Sequence, residues 1–337
     1  MKAAIQTEYG TPRVLRTEDV ERPSLAQDQI LVEVHASAVT QGDRRLRAAD
    51  FPGASAVVGR LMFGLLRPRT ATGGTNFAGR VIAVGSAVTR FQVGDRVFGG
   101  CDNGAYAEYL AIAEDAQVVR IPRGVDYADA AAIPYGAVTA LEMLRGVAKV
   151  QPGERVLIIG ASGGVGRFAV QIARHLGAHV TGVCSAAKAD MVHQLGAHAV
   201  IDYAREDWTR NGQAYDVVFD TVSGEGFRTA KPSLSRHGRY VSLYMTLLIG
   251  LQMLWGAVFG GPRAAASVVL NTQQRMQDVA TLLADGIISP VIGARFSLER
   301  IADAHQALES GHVQGAVVVC LVDAPADGGH EELWVAE

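Results

Sequence analysis

Apolar and polar positions divide the chain into two textures. Over the first third, Gln29-Ile-Leu-Val-Glu-Val-His35, Phe77-Ala-Gly-Arg-Val-Ile-Ala-Val84 and Arg96-Val-Phe98 alternate or run apolar and read as strands. Met1-Lys-Ala-Ala-Ile5 reads as another, and Gly85, Gly94, Gly99 and Gly104 fall at turn positions. A β-rich, irregular domain over residues 1–124 is the expectation. From Asp126 an Ala-rich segment running to Val147 predicts a helix that Pro134 kinks or breaks. Strands Arg155–Ile159, His179–Val183, Ala199–Ile201, Asp216–Phe219 and Tyr240–Leu243 then alternate with helical stretches. The first of these, Gly164–Leu176, carries Val165, Phe168, Ala169, Ile172, Ala173 and Leu176 on one face. Such alternation predicts an α/β domain with a doubly wound parallel sheet over 125–270. Helices Gln273–Ala284 and Leu298–Ser310 and the strand Ala316–Leu321 follow in 271–337, and the tail from Asp323 is expected to fray.

Composition narrows the classes. At 337 residues, 49% of them hydrophobic, the chain is long enough for two cores. A net charge of -3 with scattered arginines removes any electrostatic case for nucleic acid. Three distant cysteines, Cys101, Cys184 and Cys320, allow no disulfide framework or metal knuckle. With no secretory h-region at the start, the expected compartment is the reducing cytoplasm. One stretch resists this picture: Tyr240–Pro262 has no charged residue and is long enough for a membrane span. Its glycines, Gly250, Gly256, Gly260 and Gly261, argue instead for a buried lid, pocket wall or subunit interface, with peripheral membrane contact left open.

The strongest chemical signal is Gly160-Ala-Ser162-Gly163-Gly164-Val165-Gly166, directly after a strand and opening an amphipathic helix. Without side chains the backbone approaches a pyrophosphate, whose charge the helix N-terminus stabilises. A tight turn with no ligand is the alternative. An NAD site places a carboxylate about 20 residues on, to hold the ribose hydroxyls. Here the next strand ends in Cys184-Ser185-Ala-Ala-Lys188, with no carboxylate before Asp190. A hydroxyl with one of the chain's four lysines suits a 2′-phosphate, so NADP(H) is preferred and NAD(H) is second. Ser185 as a helix cap and Lys188 as a solvated side chain is the competing reading.

Taken in order, further segments complete a pattern: Val39-Thr40-Gln-Gly-Asp43-Arg-Arg-Leu-Arg47, Gly74-Thr-Asn-Phe-Ala-Gly79, Phe91-Gln-Val-Gly-Asp95, Gly104-Ala-Tyr-Ala-Glu108, Ala131-Ala-Ile-Pro134-Tyr135-Gly-Ala-Val-Thr139, and Val200-Ile-Asp202-Tyr203. With the glycine loop, they make the chain resemble the quinone oxidoreductase branch of the medium-chain dehydrogenase/reductase superfamily over nearly its whole length. The resemblance implies a GroES-like catalytic domain built from both chain ends, a central Rossmann domain, an active site in the cleft between them and a homodimer. By position it assigns Thr139, Ser185, Lys188 and Tyr203 to the cofactor, with an aromatic packed over a strand end as a nearly equal alternative for Tyr203. Thr40 falls near the nicotinamide, and Asp43 and Arg47 either shape the pocket floor or form a structural ion pair. Tyr135 and Tyr244 are candidate hydrogen-bond donors. Zinc-bearing relatives need a Cys where Thr40 stands and a His-Glu pair where this chain has Gly74-Thr-Asn76, so no metal is expected. The chain departs from the pattern at Gly315-Ala316, where relatives carry lysine, and in a longer segment Ala54–Thr72. With the apolar run after Tyr244, that segment is expected to form a greasy pocket or cap.

The leading function is an NADPH-dependent reduction of quinones or α,β-unsaturated carbonyl compounds, because without a Lewis acid a simple alcohol is a poor substrate. A zinc-free alcohol or aldehyde oxidoreductase acting on a bulky apolar substrate, and a non-catalytic NADPH-binding protein, share the same fold and stay open.

Overall fold

The apolar runs become strands of two separate sheets. The computed structural model describes residues 1–51, 55–222, 226–244, 248–253, 261–266 and 272–322, the side chains of 55–58 apart. Its described residues fall into two compact units. One comprises Met1–Tyr135, Asn271–Ala284 and Ser289–Glu337; the other comprises Gly136–Leu270 and Asp285–Ile288.

In the first unit, a seven-stranded sheet is built around the long strand Gln29–Val39. On one side it pairs antiparallel with Asn76–Val84, and on the other with the C-terminal strand Ala316–Cys320, in a register from Val317 opposite Val39 to Cys320 opposite Ala36. That register brings both chain ends into one unit. The C-terminal strand in turn pairs in parallel with Ile292–Ser297, which the periodicity did not predict. Ile30, Val32, Val34, Phe77, Val81 and Val97 are fully buried on the inner face. Each such side chain contributes about 1.5–3 kcal/mol relative to remaining exposed. The Ala-rich segment divides as Pro134 demands. Asp126 caps Tyr127–Ala131, with its side chain accepting from the Asp129 amide at 2.6 Å, and Pro134 then opens the helix Pro134–Leu141. The next residues, Glu142–Val147, widen into a π-helical turn.

The second unit carries six parallel strands in the spatial order Ala199–Asp202, His179–Cys184, Arg155–Ile159, Tyr215–Asp220, Leu234–Ser242, Arg263–Ala266. This is the 3-2-1-4-5-6 order of a Rossmann sheet, and its direction of winding reverses at Arg155–Ile159. Both faces are covered, which is why these strands read as unbroken apolar runs. In the helix Gly166–His175, eight consecutive residues from Gly166 to Ala173 are buried.

The apolar run after Tyr240 begins in the strand Leu234–Ser242 as expected. Residues 248–253 are helical and turn Ile249 against Ala264 and Ala266, while Leu248 and Leu251 stay exposed, contrary to a wholly buried lid. Residues 245–247 and 254–260, with Trp255, and the tail from Asp323 lie outside the described residues. Among the described residues, no helix is long and apolar enough to cross a membrane.

A side chain on Gly166 would run into the Gly160 carbonyl, whereas one on Gly164 would meet nothing within 4 Å. Gly166→Ala is therefore expected to lower unfolding stability by about 1–3 kcal/mol, measured by chemical denaturation, with Gly164→Ala close to the parent.

Candidate active site

The glycine loop lies where the winding of the parallel sheet reverses. Gly160 takes φ 76°, a left-handed conformation that glycine adopts without strain. Its amide and that of Ala161 both donate to the Val183 carbonyl at 3.0 Å, tying the loop to the neighbouring strand. The chain then closes on itself, with the Gly163 amide on the Gly160 carbonyl at 2.9 Å. Ser162 is half-buried, Gly163 and Gly164 are exposed, and Val165 is buried at the helix cap. The result is bare backbone in front of a helix N-terminus, whose first amides have no intrahelical acceptor.

Parallel pairing brings the other predicted cofactor residues to the same sheet end. Asp202 is in register with Cys184, so Tyr203 and Ser185 leave adjacent strands side by side. Tyr203 is 65% exposed, which removes the reading of an aromatic packed over the strand end. Ser185 stands at the cap of the short turn Ala186–Lys188, but its side chain makes no capping bond. Lys188 is half-buried at the end of that turn. The nearby Asp202 carboxylate is occupied by its own turn, accepting from the Ala204 amide at 3.1 Å. Thr139 lies half-buried on the helix Pro134–Leu141.

In the first unit, Thr40, Asp43 and Tyr135 come together. Thr40 caps the helix Gln41–Ala48 in a capping box with Asp43. One Asp43 oxygen accepts from the Thr40 amide at 2.8 Å and the Thr40 hydroxyl at 2.6 Å; the other accepts from Thr75 Oγ1 at 2.9 Å. Burial raises the Asp43 pKa, and these donors oppose the rise. Without the carboxylate three donors would be stranded, at about 1–3 kcal/mol each. Asn76 Nδ2 donates to Thr75 Oγ1 at 3.3 Å, and its Oδ1 accepts the Tyr135 amide at 3.1 Å. The Tyr135 ring lies close over Gly42, where a Cβ would meet it at 3.1 Å. Thr40 thus spends its hydroxyl proton on Asp43.

Asp43 and Arg47 do not pair with each other. Arg47, buried, donates from Nε to the Gly10 carbonyl at 3.1 Å, from Nη1 to His305 Nδ1 at 3.2 Å, and forms an ion pair with Glu309. Because a guanidinium only donates, His305 Nδ1 accepts and the ring proton resides on Nε2. Burial, then the Arg47 charge, push the His305 pKa down to about 3. Tyr106 packs edge-on to His305 at 5.7 Å, and burial and the Asp43 charge hold its proton on. Asp43, Arg47, Tyr106 and His305 line one side of a cavity of ≈ 180 Å³ whose other walls include Met62, Phe63, Pro68 and Arg69. Thr40 and Tyr135 are not among its lining residues. Sequence reasoning missed Thr75, Tyr106 and His305. Tyr106 lay within a recognised motif, whereas His305 had no local signal beyond being one polar residue on an amphipathic helix.

A GroES-like sheet made from both chain ends, joined to a Rossmann sheet with its glycine loop at the point of reversal, is the architecture of the medium-chain dehydrogenases and reductases. Residues 26–123 match the family profile of the alcohol dehydrogenase GroES-like domain, and residues 195–319 that of zinc-binding dehydrogenases. The chain is 31% identical to the 2-methylene-furan-3-one reductase of Solanum lycopersicum, over 95% of this chain and 79% of that protein. It is 31% identical to a quinone oxidoreductase of Pseudomonas aeruginosa, over 92% of this chain and 97% of the other. The crystal structure of Escherichia coli quinone oxidoreductase complexed with NADPH superposes with a TM-score of 0.81 at 26% identity, covering 95% of this chain and 100% of that one. The chain belongs to the medium-chain dehydrogenase/reductase superfamily, in its quinone oxidoreductase-like branch.

The His305 shift has a measurable consequence. The folded protein protonates this ring only near pH 3, whereas the unfolded chain does so near 6.5. Between those values the unfolded state holds more protons, so this group's contribution to stability falls as pH falls. His305→Gln, which keeps an acceptor for Arg47, is expected to flatten the decline in denaturation midpoint between pH 6.5 and 4.

Proposed function

We propose that this protein is a metal-independent reductase that uses NADPH in preference to NADH and acts on quinones or α,β-unsaturated carbonyl compounds. The observation that carries the cofactor reading is the sheet end itself: exposed glycine backbone at Gly163 and Gly164 beside Ser185, Lys188 and Tyr203, with no carboxylate on the turn where a ribose hydroxyl would need one. Gly160, Ser162, Gly163, Gly164, Val165 and Gly166 would hold the pyrophosphate, Ser185 and Lys188 the 2′-phosphate, Tyr203 the adenine face, and Thr139 the nicotinamide end. The relatives support the same reading, one a quinone oxidoreductase solved with NADPH and another a 2-methylene-furan-3-one reductase.

Zinc does not fit the residues present. Threonine and asparagine at Thr40, Thr75 and Asn76 are poor ligands for it, and Asp43 is occupied by three hydrogen bonds. A bound reduced nicotinamide supplies hydride to an electron-poor carbon; the chain's own residues supply orientation and a proton-donating environment. Because the Thr40 hydroxyl is committed to Asp43, this pair acts by holding the start of the helix Gln41–Ala48 beneath Tyr135, and Tyr135 is the proposed donor to the carbonyl oxygen. A homodimer belongs to the same reading, with Arg263–Ala266 as the terminal strand of the Rossmann sheet.

Titration of NADPH and NADH by fluorescence tests the cofactor assignment. Lys188→Ala is expected to weaken NADPH about tenfold, the loss of one charge-assisted contact, and to leave NADH unchanged. Equal affinity for both nucleotides, indifferent to Lys188→Ala, would defeat it. Optical assay of NADPH consumption is expected to show turnover of quinones and enones but not of saturated ketones. Tyr135→Phe is expected to lower kcat about tenfold or more with nucleotide affinity retained, and an unchanged kcat would remove Tyr135 from the chemistry.

A further inference from the structure

We propose that the turn after the helix Ser55–Phe63 docks this protein onto the surface of an anionic phospholipid bilayer. Four large apolar side chains, Leu61, Met62, Leu65 and Leu66, lie within six residues of one another and are 57%, 61%, 61% and 86% exposed. The segment expected to form a greasy pocket or cap thus lines the cavity with Met62, Phe63 and Pro68 while leaving these four side chains largely in solvent. Isolated exposed leucines are ordinary; a cluster of this kind marks an interaction surface.

The tip is built, with its backbone pinned from several sides. Gly64 adopts φ 125° and approaches the Arg67 carbonyl too closely for any other residue. Its carbonyl accepts the Tyr9 hydroxyl at 2.8 Å, and the Arg69 amide donates to the Phe63 carbonyl at 2.9 Å. Behind it, Phe51 stacks on Phe63 at 5.8 Å between ring centroids. The fold thus ties this turn down at several points while its leucines face solvent.

Charge selects the occupant. Arg60 and Arg69 each donate to a carbonyl of the tip, at Leu65 and Leu61, and Arg67 is exposed beside them. Between Phe51 and Thr72 these three arginines meet no acidic residue in sequence, whereas Arg80 and Arg90 further on engage Glu33 and the Glu114 carbonyl. A second copy seated face to face on this patch would bring its own arginines against these, so like charge disfavours self-association here. A bilayer carrying anionic headgroups offers apolar depth for the leucines and partners for the guanidinium groups at the same level. Met62, Phe63, Pro68 and Arg69 also line the cavity of the first unit, so its lip forms part of the docking face.

Flotation of the full chain with vesicles of phosphatidylcholine, alone or mixed with phosphatidylglycerol, tests this. Each arginine near an anionic surface is worth roughly a fivefold gain in partitioning. Binding to the mixed vesicles is therefore expected to exceed binding to neutral ones by on the order of tenfold to a hundredfold, and to fall as salt rises. Leu65→Ser with Leu66→Ser is expected to abolish it, and Arg67→Glu to weaken it, with thermal unfolding midpoints unchanged in both. Absence of flotation with anionic vesicles would overturn the proposal, as would flotation indifferent to these substitutions. So would a fall in solution mass from dimer to monomer in the leucine variant, which would mark the patch as a contact between copies. The readout needs no turnover, so a protein that floats yet reduces no quinone would sink the catalytic reading alone.

Discussion

The functional half of this molecule depends on the missing side chains at Gly160 and Gly166. The first turn of the helix Gly166–His175 rests against the carbonyl of Gly160, and the loop between them folds back on the strand it has just left. A methyl group at Gly166 would push the helix away from the sheet. Only because the two approach so closely do the exposed glycines end up in front of the helix amides, at the positive end of the helix dipole. The buried apolar strands of the Rossmann sheet supply the rigidity that keeps this geometry.

A comparable economy governs the β-rich unit. Among the described residues the buried Asp43 has no cationic partner, yet it is satisfied by three donors from two chain segments. Burial alone would favour its neutral form, and the donors offset that preference. The arrangement couples the helix Gln41–Ala48 to the strand Asn76–Val84, and through Asn76 to the start of the helix that carries Tyr135. Arg47, one turn further along, looks the other way, toward His305 and Glu309. Asp43 and Arg47 of this one short helix therefore serve separate networks, and of the two alternatives for them the ion pair does not form.

Much of this was legible along the chain. Periodicity separated the β-rich part from the alternating part because period-2 and unbroken apolar runs report directly whether one or both faces of a strand are buried. The loop Gly160–Gly166 and the turn Ser185–Lys188 were legible because their chemistry is local: each is a few consecutive residues between a strand and a helix. Local strength was also why Pro134 could be read as the end of one helix and the start of another. The strand Ile292–Ser297 escaped notice because it pairs with a neighbour across a whole helix and has no strong alternation of its own.

Thus the sequence by itself determined the two sheet types, the glycine-rich turn in front of a helix N-terminus and the absence of a carboxylate on the turn beyond it. Tertiary structure alone decided that Thr75, 32 residues on, completes the Asp43 cluster, that Arg47 reaches a histidine 258 residues away, and that Leu65 and Leu66 face solvent. The physical reason is one of range. Propensity and patterning encode contacts within a turn or along a strand, whereas these partners are chosen by the register that sets Val317 opposite Val39 and by the packing that follows from it.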